Sequence, residues 1–255
     1  NILGVLTTAL IFGLAAAFTL PQDSKWPQML GELTQVIYTC ARWVLTLLPL
    51  GLFAIVFQLT GRIDLDTLKS LGQFAGVVLG ATAVHGFIIL PAIAWLFGGV
   101  TPVKLAKAIG QPMLTALVTS SSAATLPLSM TTAEEKLGVD RNKAAFVLPL
   151  GATINMDGTA LFEGIAVIFL AYMFNVPIDA ASVVMVFLIT MLASAGAPGI
   201  PSGSMAGLQV ILLAVGIPLE AIGLLLLIER PLDTFRTAVN VQGDLVGSLV
   251  AQRWS

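Results

Sequence analysis

Apolar residues run through this chain in long blocks with short polar punctuation, and several blocks approach the length of about 20 residues that a helix needs to cross lipid. Residues 1–20 read as a first helix, closed by Leu20-Pro21-Gln22-Asp23-Ser24. A long helix is predicted from about 31 to 60, kinked at Pro49-Leu50-Gly51. Gly61 to Asp66 is a polar connection, and about 67–99 is a further span. From there the pattern changes. Residues 101–137 read as a helix, an interruption from Thr119 through Ser120, Ser121, Ser122 and Ala123 to Pro127, and a short helix ending in Glu134-Glu135-Lys136. A span over 142–175 is broken between Gly151 and Thr159. Residues 181–216 again give helix, breaker and helix, with the Gly/Pro-rich stretch Ser194–Ser204 in the middle, and a final helix covers 217–250.

Broken backbone at membrane depth is tolerated only where it is buried in protein or lines a cavity. Here an interrupted hairpin followed by a span with polar residues at its middle occurs twice. Paired interruptions in corresponding positions are the layout of inverted-repeat secondary transporters, and they point to the substrate site. The predicted fold class is an all-α polytopic membrane protein, with inverted repeats of a re-entrant helical hairpin plus a broken transmembrane helix.

Composition agrees: of 255 residues, 57% are hydrophobic and only 10% charged, where a soluble domain carries about a quarter charged. The runs do not alternate, which excludes an outer-membrane barrel. The net charge of -2 matters less than where the charges lie. Lys104, Lys107, Lys136, Arg141 and Lys143 cluster at one pair of segment ends, and no Lys or Arg occurs between Lys143 and Arg230. The positive-inside rule puts the 101–107 and 131–143 connections in the cytoplasm and 176–180 and 216–220 outside, so the two hairpins enter from opposite sides. No nucleic-acid partner is expected. Cys40 is the single cysteine, which excludes a disulfide framework or thiol metal site. The apolar start lacks an initiator Met, a basic flank and a cleavage site, and reads as the middle of a larger protein.

The final helix carries Asp233, Arg236, Thr237, Asn240 and Asp244 at i, i+3, i+4, i+7 and i+11, one polar stripe on a helix. Each charge facing lipid at a helix centre costs about 2.5–3.5 kcal/mol, so the stripe must face protein, water or a ligand. A structural Asp–Arg staple between helices would explain one acid and one base, but not the second acid, the amide and the hydroxyl. At the first interruption, free N–H groups at the start of a half-helix with the Ser121 and Ser122 hydroxyls suit a carboxylate; a serine-rich turn bonded to itself is the alternative. Asn155-Met156-Asp157-Gly158-Thr159 places an amide, a carboxylate, a hydroxyl and unwound carbonyls inside a span, which suits a small hard cation. The Gly/Pro-rich third tip reads as a movable gate or a plain turn. His85, inside an apolar helix, reads as a packed or hydrogen-bonded core residue.

Ser121-Ser122-Ala123-Ala124-Thr125-Leu126-Pro127, Asn155-Met156-Asp157-Gly158-Thr159, Ala195-Gly196-Ala197-Pro198-Gly199-Ile200-Pro201 and Asp233-x-x-Arg236-Thr237-x-x-Asn240-x-x-x-Asp244, in this order, resemble the dicarboxylate/amino acid:cation symporters, the sodium-coupled glutamate and aspartate transporters. The resemblance covers essentially the whole chain, from the end of the family's fourth helix through its eighth; the first three have no counterpart here. It implies that residues 1–66 are partial scaffold and trimerisation helices and that 67–255 are the transport domain. It further implies sodium symport of an acidic amino acid in the plasma or inner membrane, by a homotrimer, with proton and potassium coupling left open.

Carried over residue by residue, the resemblance gives Arg236 and Thr159 the substrate side-chain carboxylate, Asp233 and Thr237 its amino group, and Asn240 with Ser122 its α-carboxylate. Ser120, Ile200 and Gly203 would close the site. One sodium would sit among Gly151, Asn155, Asn240 and Asp244, and a second among Thr153, Ser194, Ala195 and Ala197 near Met156. A third would use Asn155 and Asp157. Glu163 stands where vertebrate members have an acid linked to proton cotransport, and a buried carboxyl is suited to that task. Three departures stand out: neither Ser120 nor Thr234 is the further Arg usual at one of those places, Ala123 replaces a common tip serine, and Ser202-Gly203-Ser204 is an unusual second-tip ending.

The alternatives within this class are a neutral amino acid or C4-dicarboxylate carrier. Arg236, whose charge would lack a partner, argues against neutral substrates, and Asp233 argues for an amine. An enzyme is not expected: a serine hydrolase needs a base beside its nucleophile, and His85 lies outside every motif. A remnant that does not transport is the last alternative.

Overall fold

The structure, a computed structural model, describes residues 2–21, 23–47, 50–51, 53–54, 57 and 64–254. The described residues are helical apart from turns, with no strand among them. Contacts divide the chain into two units, Asn1–Thr67 and Leu68–Ser255. The first contains α1 (Ile2–Thr19) and α2 (Trp26–Thr46). Pro21 follows the end of α1, and the Ser24 hydroxyl accepts from the Trp26 N–H to start α2. The helix expected from 31 thus begins five residues earlier, and the kink expected at Pro49 falls outside the described residues.

The second unit begins within α3 (Leu65–Val84), which runs through a π-helical turn at His85–Ile89 into α4 (Leu90–Leu96). Then come α5 (Pro102–Thr119) and α6 (Ser122–Thr132), α6 ending in a second π-helical turn at Ala133–Leu137. α7 (Arg141–Ile154) and α8 (Asp157–Met173) follow, then α9 (Ala180–Ser194), α10 (Ser204–Val215), a 3-10 turn at Leu219–Ala221, and α11 (Ile222–Trp254). Among the described residues two helical stretches, Leu65–Leu96 and Arg141–Met173 (the second broken at Asn155-Met156), are long and apolar enough to cross a membrane; Ala180–Ser194 and Ser204–Val215 are apolar but shorter.

The interruptions are narrower than the sequence predicts. In the first hairpin only Ser120 and Ser121 leave the helix, Ser120 at a left-handed φ of 49°. Ser121 accepts from the Ala124 N–H and caps α6, so the hydroxyls that read as a breaker start a helix instead. Pro127 is inside α6. In the long span only Asn155 and Met156 are non-helical, so Gly151 and Thr153 belong to α7 and Asp157, Gly158 and Thr159 to the first turn of α8.

α11 is the hub. Its early residues Leu225 and Leu232 join Phe74 and Val78 of α3, Phe162 and Leu170 of α8, and Leu208 and Leu212 of α10. Its later residues Val239, Leu245 and Leu249 join Ala94 of α4, Leu105 and Ile109 of α5 and Leu148 of α7. Every residue from Arg236 to Val246 is buried, so the polar stripe is one side of a fully enclosed helix, not of an amphipathic one. Glycines allow this: a Cβ at Gly158 would sit 2.6 Å from the Arg236 carbonyl, and one at Gly86 3.1 Å from Val239 Cγ2.

Gly207 of α10 packs directly on the Glu163 carboxyl of α8, leaving no room for a Cβ. Gly207→Ala should therefore lower the melting temperature in detergent, by an overpacking cost of about 1–3 kcal/mol. Glu163→Ala, which removes the obstructing oxygens, should restore part of that loss in the double variant.

Candidate functional site

The site forms where the α7–α8 break meets the middle of α11. A helix that stops inside protein strands N–H groups, and Asn240 takes two of them. Its Oδ1 accepts from the Gly158 and Thr159 N–H groups at 2.7 and 3.3 Å, and its Nδ2 donates to Thr159 Oγ1 at 3.1 Å and Met156 Sδ at 3.3 Å. One amide thus fixes the break to the central helix.

One turn earlier lies Arg236, 1% exposed. Its Nη2 donates to Asp233 Oδ1 and to Glu229 Oε1, both at 2.7 Å, and its Cζ lies 3.9 Å from the centre of the Phe162 ring. Arg236 Nε and Nη1 have no hydrogen-bond partner among the described residues. Removing one partner of such a buried pair costs about 3–5 kcal/mol. Arg230, half-exposed, approaches Asp233 Oδ2 at 3.7 Å. The expectation that Arg236 lacks a protein partner is therefore wrong: the guanidinium already has two carboxylates. Glu229 was missed because, seven residues before Arg236, it lies outside the 233–244 pattern; the i, i+7 spacing that marks one helix face would have found it.

Two tips close over these residues. At the first, Ser121 Oγ donates to the Gly199 carbonyl at 2.7 Å, and the Ala123 N–H reaches the same oxygen at 3.3 Å. At the second, the Ser202 N–H donates to Asp233 Oδ2 and Ser202 Oγ to Glu229 Oε2, both at 3.0 Å. Between the tips, α8 and α11 remains a small cavity of about 10 Å³, room for no more than a water. Its lining includes Ser120, Ser122, Thr159, Ile200, Gly203, Asp233, Thr237 and Asn240. Of the predicted substrate-binding residues, Ser121, which ties the tips together, and Arg236 are not part of the lining.

The predicted cation-binding residues separate into two places. Asn155 Nδ2 donates to Asp244 Oδ1 at 3.0 Å, and a Cβ at Gly151 would meet that same oxygen at 2.6 Å. A Cβ at Gly243 would lie 2.7 Å from Asp157 Oδ2 and 2.8 Å from Asn155 Nδ2, so Gly151, Asn155, Asp157 and Asp244 converge. Asp157 Oδ2 also contacts His85 Nε2 at 2.7 Å. The π-helical turn places His85 there and frees the Gly86 carbonyl, which accepts from Gln242 Nε2 at 2.8 Å. His85 is thus hydrogen-bonded, to a motif residue no spacing rule linked it with. A large open pocket of about 640 Å³ borders His85, Asp157 and Ser194.

The second place is the tip. Ser194 Oγ donates back to the Met191 carbonyl, and Ala195 and Ala197 follow in the tip turn. Thr153 is exposed and donates to the Pro149 carbonyl. Met156 and the Ala152 carbonyl are what meet the tip, at Gly199. Among the described residues no three His, Cys, Asp or Glu side chains form a metal cluster, so a cation would draw mainly on carbonyl and amide oxygens, with at most one or two carboxylates beside them. Glu163 is fully buried, and neither carboxyl oxygen has a hydrogen-bond partner among the described residues.

The profile of the sodium:dicarboxylate symporter family matches residues 1–254. The chain is 35% identical over 259 residues to excitatory amino acid transporter 3 of Oryctolagus cuniculus, covering 100% of this chain and 49% of that protein. It is 35% identical over 256 residues to neutral amino acid transporter B(0) of Mus musculus, covering 100% and 46%. With excitatory amino acid transporter 2 of Homo sapiens it shares 38% over 253 residues, covering 97% and 44%. The chain spans about half the length of the curated relatives it matches.

Asn240→Ala removes the acceptor for Gly158 and Thr159 and leaves buried donors unmet, so it should destabilise the fold by about 1–3 kcal/mol. A lowered melting temperature in detergent checks this, and Asn240→Asp, which keeps the acceptor, should lose less.

Proposed function

We propose, since the chain belongs to the sodium:dicarboxylate symporter family, that it forms the substrate-binding part of a secondary active symporter. Its cargo is an acidic amino acid, glutamate or aspartate, moved with sodium across the plasma or inner membrane by alternating access. The observation that carries this is the small cavity lined by Asp233, Thr237 and Asn240 of α11, Thr159 and both hairpin tips, with the Arg236 guanidinium buried beside Asp233. An amino acid needs an anion for its amine and donors for each carboxylate. Asp233 supplies the first, helped by Thr237; Arg236 and Thr159 receive the side-chain carboxylate, and Asn240 and Ser122 the α-carboxylate.

A space of about 10 Å³ holds no amino acid, so the tip from Ala195 to Gly203 opens for loading. Ser120, Ile200 and Gly203 then close over the cargo. Sodium is the second cargo. Gly151, Asn155, Asn240 and Asp244 offer one oxygen-rich position, Thr153, Ser194, Ala195 and Ala197 beside Met156 a second, and Asn155 with Asp157 part of a third. Coupling requires that fully loaded and empty forms move while partly loaded ones do not. Residues 1–66 act as scaffold for residues 67–255, in a homotrimer.

Glu163 is proposed as a proton carrier, because an ionised carboxylate at full burial without a donor is costly and taking up a proton removes that cost. Potassium counter-transport belongs to the same proposal. A second reading, a neutral amino acid carrier, draws on Arg236 already being paired by Glu229 and Asp233, which leaves its charge satisfied without an acidic cargo.

Uptake of labelled L-aspartate and L-glutamate into proteoliposomes decides between these. The gene-encoded product should take up both only under an inward sodium gradient, and Arg236→Ala should reduce this by about a hundredfold or more, the scale of a lost buried charge pair. Sodium-driven uptake of serine or alanine alone would favour the neutral carrier. A proton gradient should accelerate wild-type net uptake and leave Glu163→Gln unaffected; a Gln variant with unchanged rate and pH response ends that role.

A further inference from the structure

Arg236, Glu229, Asp233 and Ser202 form a closed ring. Glu229 Oε1 and Asp233 Oδ1 both take Arg236 Nη2, while Glu229 Oε2 takes the Ser202 hydroxyl and Asp233 Oδ2 the Ser202 N–H. Glu229 stands two turns before Arg236 on the same face of α11 and is 1% exposed. Ser202 is one of three non-glycine residues at positive φ among the described residues, at 60°. A backbone held in that region needs support from its surroundings, and here two carboxylates hold it.

A guanidinium can clamp a carboxylate with two parallel bonds through Nε and Nη2 or through Nη1 and Nη2. Both faces use Nη2, and both Nη2 protons are taken. An acidic cargo therefore clamps Arg236 through two parallel bonds only by displacing a resident carboxylate from Nη2. Asp233 sits in the cavity lining, where the cargo amine is expected; Glu229 is outside it. We infer that Glu229 is a resident substitute for the cargo's side-chain carboxylate: it neutralises Arg236 in the empty site and latches the second tip shut through Ser202. This rests on the transport proposal above.

The latch has two consequences. An empty site can close without stranding a buried cation, which a carrier must do to return for another cycle. An acidic cargo that enters once the tip is open takes the place of Glu229 on Arg236, so cargo contacts replace the latch when the tip closes again. A cargo without a side-chain carboxylate has nothing to exchange for Glu229.

Net uptake needs the empty return, whereas exchange of external for internal cargo does not. In proteoliposomes of the gene-encoded product under a sodium gradient, Glu229→Gln should lower net L-aspartate uptake by about tenfold or more while changing exchange by less than about threefold. Ser202→Ala, which removes only the hydroxyl arm, should shift the same ratio in the same direction by a smaller factor. Exchange shows that each variant is folded. A second readout needs no transport. With Cys40 replaced by Ser, Ser204→Cys places a thiol of near-equal size at a buried position bordering the cavity. Without substrate, a water-soluble methanethiosulfonate should label it about fivefold or more faster when Glu229→Gln is added. Equal loss of net uptake and exchange, no loss of either, or an unchanged labelling rate overturns the latch. Absence of acidic amino acid uptake by wild type sinks the transport proposal instead, and the labelling comparison still decides on the latch.

Discussion

One buried cation sets the terms for the rest of this unit. Arg236 is 1% exposed in an apolar helix bundle, where an isolated charge is untenable and a paired one must have good geometry. Glu229 and Asp233 meet that demand from the same helix, and the Phe162 ring covers the guanidinium. Because those carboxylates have oxygens left over, they in turn need donors, and the second hairpin tip brings them in Ser202. The position of a tip thus follows from the solvation of one guanidinium. Glu163, next to Phe162 on α8, receives no hydrogen bond among the described residues, unlike Glu229 and Asp233.

The broken helices obey the same constraint at the level of the backbone. Interrupting α7–α8 inside protein exposes N–H and C=O groups that water cannot reach. The break survives because Asn240 supplies a side-chain amide where the helix would have supplied carbonyls. At the first tip Ser121 performs the corresponding service for α6 and donates its own proton to Gly199 of the opposite tip. Backbone satisfaction, cavity walls and tip contact are therefore carried by the same few side chains. Substituting one of them disturbs folding and binding together, which is why exchange and thiol labelling are more informative here than loss of uptake.

Much of this was legible in the sequence, and the limits have physical causes. The apolar blocks and paired interruptions located the helices and both hairpins, because lipid-facing helices leave a long compositional signal. The width of each interruption was not legible: Ser121 reads equally as a breaker or as a cap, and only the neighbour that receives its hydroxyl decides. Asp233 through Asp244 announced a polar stripe by their spacing, but not that Val239 and Val241 opposite would be buried too, since burial of the apolar side depends on α4, α5 and α7. Glu229 and His85 were invisible as site residues for different reasons. Glu229, seven residues before Arg236, falls outside the 233–244 pattern, although its i, i+7 spacing places it on the same helix face. His85 reaches Asp157 across 72 positions through a π-helical turn that no apolar periodicity predicts.

On the transport proposal, selectivity follows from which charge is exchangeable. If Arg236 were open to the cavity, any anion of suitable size would gain its full attraction. With both Nη2 protons committed, a cargo gains only the difference between its own carboxylate and that of Glu229, and that difference depends on geometry. A carboxylate that also satisfies Thr159, while its amine neutralises Asp233, makes contacts that Glu229, tethered to α11, cannot. Affinity is thereby lowered for every anion, but discrimination among anions is raised, because the resident carboxylate subtracts the part of the interaction that all of them share. With the ring formed, the remaining space of about 10 Å³ holds no amino acid, so a neutral cargo, too, must part Ser202 from Glu229 and Asp233, without a carboxylate to take the place of Glu229. On that proposal, discrimination against neutral cargo rests on this missing exchange and on the fit against Asp233, Asn240 and the tips, not on an unpaired arginine.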